Sequence, residues 1–147
     1  MGQVTGGGRR AVRQDFRMPL HESEVRLIDA AEALARTLGA DPNHTMAAAA
    51  LDADGRIHTG VNVLHFTGGP CAELVALGAA VAANAGRLVA MAAVGDGGRG
   101  IAPPCGRCRQ VMLDLHPDVR VAVPGAGGPE FVPIRELLPV SYALPDA

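Results

Sequence analysis

The chain has 147 residues, 48% of them hydrophobic, a formal net charge of −2 and three cysteines. That size and composition fit one globular domain with a core of its own, and the charge balance excludes a surface built for polyanions, so no nucleic-acid partner is expected. No apolar run is long enough to span a bilayer and no signal-peptide pattern opens the chain, so no membrane partner is expected and the cytoplasm is the expected compartment, where three thiols suit metal binding or catalysis better than a disulfide framework.

Residues 1–17, MGQVTGGGRRAVRQDFR, combine a glycine run with four of the 13 basic residues and read as a disordered arm dispensable for activity, which leaves residues 18–147 as the domain. From Glu22 to Leu38 the apolar positions Leu27, Ala31, Leu34 and Leu38 recur at helical spacing, and Gly39 follows as a C′ residue. TMAAAAL and RIHTGVNV, residues 45–51 and 56–63, flank Asp52-Ala53-Asp54-Gly55 and predict a β-hairpin, although the alanine run alone suits a helix. Residues 71–85 predict a largely buried helix ending at Gly86, residues 88–94 a buried strand, and the segment after the loop GDGGRG a third helix with Val111, Met112 and Leu115 on its apolar face. Val119 to Val123 reads as another strand, and the chain closes with an extended piece from Phe131, a turn of helix in IRELL and the lone tyrosine, Tyr142. Strands alternating with helices after a hairpin predict an α/β fold, a mixed sheet between helices.

Cys105 and Cys108 are three apart at a helix start, which puts both sulfurs on one face, and Cys71 opens another helix. Helix N-termini favour thiolates, because free N–H groups and the positive dipole end point at them. Three thiolates without an evident fourth protein ligand describe an open tetrahedral site for Zn²⁺, whose open position ordinarily holds a water acidic enough to lose a proton near neutral pH. Glu73, two residues past Cys71, is placed to exchange a proton with that water. A bare C-x-x-C is also compatible with a redox dithiol or a structural zinc, but neither explains Cys71 and Glu73. The histidines His21, His44, His58, His65 and His116 read as surface or loop residues, with His65 nearest the motif.

C-A-E followed by P-C-G-R-C matches the zinc nucleobase deaminase pattern, with cysteine where other members use histidine. At these residues the chain resembles the cytidine deaminase superfamily and, within it, the blasticidin-S deaminases. The resemblance covers nearly all of residues 18–147 and is densest in DGRIHTGVNVLHFTGGPCAELVALG, RGIAPPCGRCRQVMLDLHP and IRELLP. It implies a three-layer α/β/α fold with a mixed five-stranded sheet, one Zn²⁺ per subunit on Cys71, Cys105 and Cys108, Glu73 as proton shuttle, and a homotetramer. It also carries substrate contacts onto Thr45, Arg99 and Tyr142, with Arg99 pairing a carboxylate on the substrate's sugar ring.

Departures from the nucleoside enzymes bear on substrate. Those enzymes hold the ribose hydroxyls with an Asn and a Glu ahead of the zinc cysteine; here Asn62 stands, but Leu64 fills the acidic position. A ribose would lose a buried partner worth about 1–3 kcal/mol. They also place Arg directly after C-A-E, where this chain has Leu74, leaving Arg107 and Arg109 as candidates to offset the thiolate charge. Pro103 keeps the backbone carbonyl expected to accept from the leaving amine, and Phe66 is a candidate face for the pyrimidine or a plain core residue. The aromatic residue expected past Tyr142 is missing, with Ala143 and Leu144 in its place. The expected activity is therefore hydrolytic deamination of the cytosine of blasticidin S, giving antibiotic resistance, with cytidine or deoxycytidine deamination in pyrimidine salvage as the alternative. A non-catalytic zinc protein is the rival outside the enzyme class.

Overall fold

The computed structural model describes residues 19–143 and 145; the predicted arm, residues 1–17, and Leu144 lie outside the described residues. Helix α1 (Glu22–Thr37) starts where the sequence predicts, with the Glu24 carboxylate accepting the His21 N–H at 2.9 Å and two glutamates in the first turn facing the positive dipole end. Its buried stripe, Leu27, Ile28, Ala31 and Ala35, lies on the sheet, where each large side chain contributes about 1.5–3 kcal/mol. Gly39 does not supply a left-handed cap: the helix closes one residue early because Leu38 turns extended, at φ −72° and ψ 129°.

The alanine run is a strand. Helix propensity loses because β1 (Met46–Asp52) is paired on both sides, antiparallel to β2 (Ile57–Val61) and antiparallel to β3 (Leu88–Gly95). Its side chains alternate: Ala48 and Ala50 face one core, Ala47, Ala49 and Leu51 the other. Methyl-sized residues on both faces let the helical layers approach closely. At Gly60 of β2 an added Cβ would collide with the backbone of Val75 and Ala76, so hydrogen is the only substituent that fits beneath helix α2 (Ala72–Ala82). That helix ends before the predicted Gly86, because Asn84 takes the left-handed turn at φ 57°.

Beyond β3, the two-residue strand β4 (Gly100–Ile101) pairs back onto it, and helix α3 (Gly106–Leu115) crosses over to β5 (Arg120–Gly125), which runs parallel to β3. Strand β6 (Gly128–Pro133) and the turn of helix α4 (Ile134–Leu137) complete the chain. The order β2-β1-β3-β5-β6 gives the expected five-stranded mixed path, with β4 as a sixth strand off it. Helix α1 covers one face; α2 and α3 cover the other, where Met112 of α3 joins Met91 and Val121 of the sheet in one core.

A polar lock holds the β1–β2 turn. The buried Asp52 carboxylate accepts the N–H groups of Asp54 and Arg56 at 2.9 Å each, bonds the His58 ring at 2.9 Å and pairs with Arg56 Nε at 3.1 Å. The His58 ring foremost, and the backbone N–H groups with it, outweigh burial and draw the Asp52 pKa from 3.8 down to about 2. A carboxylate depressed in the folded state stabilises fully above its unfolded pKa and loses that contribution as pH falls through the folded one. The stability of the wild type should therefore drop between pH 3.8 and about 2 in a chemical-denaturation pH series. Asp52→Asn should be flatter across that window and melt several degrees lower at pH 7.

Candidate active site

Two helices begin at one place. Cys71 is the N-cap of α2 and Cys105 the N-cap of α3, with Cys108 three residues on, so the three sulfurs meet where both helix dipoles are positive. They lie within 4.8 Å of one another, with Cys71 Sγ 3.5 Å from Cys105 Sγ. Tetrahedral zinc at about 2.3 Å from each sulfur requires sulfur separations of about 3.8 Å, so this donor set fits the ion. All three cysteines are free, with Cys108 buried and Cys105 exposed, so the cluster is closed on the core side and open to solvent on the other.

Glu73, in the first turn of α2, is one of three buried polar or charged residues among the described residues, and its Oε2 stands 3.6 Å from Cys108 Sγ. Burial foremost, then the Glu73 charge, pushes the Cys108 thiol far up. For Cys105 burial acts the same way, but the Cys108 N–H and the neighbouring sulfur and N–H groups outweigh it and leave this thiol below its ordinary value. Arg107 Nη2 donates to Gly69 O at 2.6 Å and lies 3.4 Å from Cys71 Sγ, a contact that raises the guanidinium pKa further. Arg109 does not reach the sulfurs; it donates to Pro104 O at 2.9 Å and to Leu137 O at 3.0 Å, fastening the start of α3 to the end of α4.

The loop from β2 to Cys71 doubles back, with Val63 N–H donating to Pro70 O at 3.1 Å, and Gly69 permits it because any Cβ there would overlap Val63 O. Asn62, at the root of that loop, is engaged within the protein: its Oδ1 accepts from Thr45 N at 2.7 Å and Met46 N at 2.9 Å, and its Nδ2 donates to Thr45 Oγ1 at 3.1 Å. Arg99 Nη2 reaches the same segment through Thr45 O at 2.7 Å. Thr45, Asn62 and Arg99 are thus one hydrogen-bonded group. The structure does not bring Phe66 or Tyr142 to it: Phe66 is 94% exposed, stacked only on His65, and so is not a core residue, while Tyr142 is 69% exposed, with its carbonyl held by Gln110. His65 bonds Thr67 and joins no metal-ligating group among the described residues.

Two contacts of this region were not foreseen from the sequence. His44 Nδ1 bonds Asn62 O at 2.8 Å, which no spacing rule signals, and Asp96 pairs with Arg99, which the i,i+3 separation of opposite charges could have suggested. A cleft of about 510 Å³ between α1 and the glycine loop, lined by Glu32, Arg36, Val94 and Gly97, lies on the α1 side of the sheet and has none of the cysteines in its lining.

Residues 21–123 match the cytidine and deoxycytidylate deaminase zinc-binding region. A cytidine deaminase of Mycobacterium tuberculosis is 40% identical over 109 residues, covering 67% of this chain and 73% of that protein. A blasticidin-S deaminase of Bacillus cereus is 27% identical over 132 residues, 84% of this chain and 94% of that protein. Among solved structures, the cytidine deaminase of Burkholderia pseudomallei superposes with a TM-score of 0.66 at 34% identity, over 80% of this chain and 98% of that one. The matched region contains the two helix starts and all three sulfurs, and the chain belongs to the zinc-binding family of cytidine and deoxycytidylate deaminases.

Proposed function

We propose that the chain hydrolyses the 4-amino group from the cytosine of blasticidin S, and so confers resistance to it. The observation that carries the chemistry is the buried Glu73 carboxylate against Cys108, one of three clustered sulfurs whose other side is open. Cys71, Cys105 and Cys108 would hold Zn²⁺, which when bound makes a water acidic near neutral pH. Glu73 takes a proton from the attacking water and delivers it to ring N3 while the oxygen adds at C4. Glu73 then takes the remaining proton from the new C4 hydroxyl and hands it to the amine as the C4–N bond breaks and the C4 carbonyl forms, and the Pro103 carbonyl accepts from that amine. One water enters and one ammonia leaves, and the carboxylate ends as it began.

Support for blasticidin S comes from Arg99, a cation beside Thr45 suited to a sugar carboxylate, from Leu64 in place of an acidic residue, and from the breadth of the match to the Bacillus cereus blasticidin-S deaminase. In this reading Asn62 holds Thr45 for substrate, and Phe66 and Tyr142 reach it only in an assembly. Exposed Leu64, Phe66 and Val140 offer apolar surface for a homotetramer of chains working in the cytoplasm. No helix of the described residues is long and apolar enough to cross a membrane. The second reading, cytidine or deoxycytidine deamination, is favoured by the 40% identity to a cytidine deaminase.

Arg107 takes the charge-balancing role in this reading, because three thiolates on Zn²⁺ leave a formal −1 and its guanidinium touches Cys71. Arg107→Gln should release zinc to a chromogenic chelator about 10-fold faster than wild type, while Arg109→Gln should leave that rate unchanged. Glu73→Gln should retain zinc by elemental analysis and lose at least about 100-fold in turnover; retention of wild-type turnover overturns the shuttle. Ultraviolet absorbance should show conversion of cytosine to uracil with blasticidin S. Turnover of cytidine alone would make the second reading the right one, and turnover of neither would leave a non-catalytic zinc protein.

A further inference from the structure

The loop between β3 and β4 folds one arginine back on itself. Gly97, Gly98 and Gly100 all have left-handed φ values, 59°, 77° and 76°, and the Arg99 side chain lies against Gly95, where an added Cβ would meet its guanidinium carbon at 2.9 Å. In that position Arg99 Nε and Nη2 both donate to Asp96 Oδ1, at 3.1 and 2.9 Å, and Nη2 also donates to Thr45 O at 2.7 Å. Asp96 N–H in turn donates to Thr45 O at 2.9 Å. Nη1 takes part in none of these bonds, and the side chain remains 56% exposed.

A guanidinium recognises a carboxylate best through two parallel N–H groups of one edge. Here the Nε/Nη2 edge is taken by an internal carboxylate, and one N–H of the other edge is taken by a backbone carbonyl. A carboxylate arriving from solvent meets only Nη1, and it meets a pair whose charges sum to zero. We propose that Asp96 sets the substrate range of this site: by holding Arg99 through its Nε/Nη2 edge, it lowers the preference for a carboxylate-bearing sugar over an uncharged cytosine nucleoside. Asp96 acts through Arg99 and is a positioning residue. The inference rests on cytosine-nucleoside deamination as proposed above, and it joins the two substrate readings in one site.

Asp96→Asn separates charge from shape, because the amide oxygen accepts the same two N–H groups while the negative charge is gone. The substrates are blasticidin S and a matched pair, cytidine and cytidine 5′-carboxylate, assayed with wild type, Asp96→Asn, Arg99→Gln and the double variant. Asp96→Asn should lower KM for cytidine 5′-carboxylate about threefold to fivefold, the range expected for one exposed ion pair. It should leave cytidine KM and both kcat values unchanged, and the gain should shrink in 0.5 M salt on the order of a few-ångström Debye length. In the Arg99→Gln background the gain should vanish. Equal shifts for both nucleosides, no shift, or a gain that survives Arg99→Gln would each overturn the role of Asp96 and leave the deaminase assignment standing. Wild type inactive on blasticidin S and on both nucleosides would remove the assignment itself.

Discussion

Everything at the site depends on two helix N-termini being brought to one point and kept there. Sulfurs a few ångströms apart repel one another once ionised, and their placement survives only because the backbone beneath them has nowhere else to go. For α2 that constraint is the contact at Gly60, where β2 runs directly under Val75 and Ala76, over a floor of Ala48 and Ala50. A floor of larger residues would lift the helix and carry Cys71 away from Cys105. For α3 it is the crossover from β3 to the parallel strand β5, fastened by Arg109 to Pro104 and Leu137. The alanine-rich sheet, which contributes less hydrophobic free energy per residue than one of leucine and isoleucine, thereby sets the geometry of the chemistry.

The rim is held by polar bonds instead. Asn62 ties the end of β2 to the start of β1, Gly69 lets the chain double back to Pro70, and Arg107 closes Gly69 against Cys71. Each bond joins the scaffold to the loop that carries the first thiol, so the loop inherits the rigidity of the sheet. What the rim leaves uncovered includes large apolar side chains, with Leu64 and Phe66 projecting from the same loop. A monomer presents these residues to water, and an assembly would cover them beside the site.

In the proposed reading, substrate selection and catalysis occupy different parts of this scaffold. Glu73 and the cysteines are placed by helix starts, which tolerate little variation, whereas Arg99 sits on a glycine loop whose conformation the ion pair with Asp96 helps to fix. In that reading, a change in the loop would alter which sugar is accepted and leave the sulfurs where they are. Family membership and substrate range are for that reason separable questions, the first answered by the matched region and the second resting on a few exposed groups.

Much of this was readable before any coordinates. C-A-E and P-C-G-R-C state their chemistry through residue type and spacing alone, because metal ligation needs sulfur at fixed helical offsets and proton transfer needs a nearby carboxylate. Helical periodicity located α1 to within a residue, and the Asp/Gly turn signalled the hairpin. The rest turned on distances between segments remote in sequence. Whether Arg107 or Arg109 reached a sulfur depended on the rotation of α3 relative to Gly69, which two positions in one motif cannot encode. That Asn62 would bond Thr45 and Met46 depended on strand register, and that Arg99 would reach Thr45 O depended on how the glycine loop folds back. Local chemistry determined what the site is made of; long-range packing decided which groups remote in sequence meet, because a hydrogen bond or ion pair is fixed by a separation of a few ångströms that sequence order does not contain.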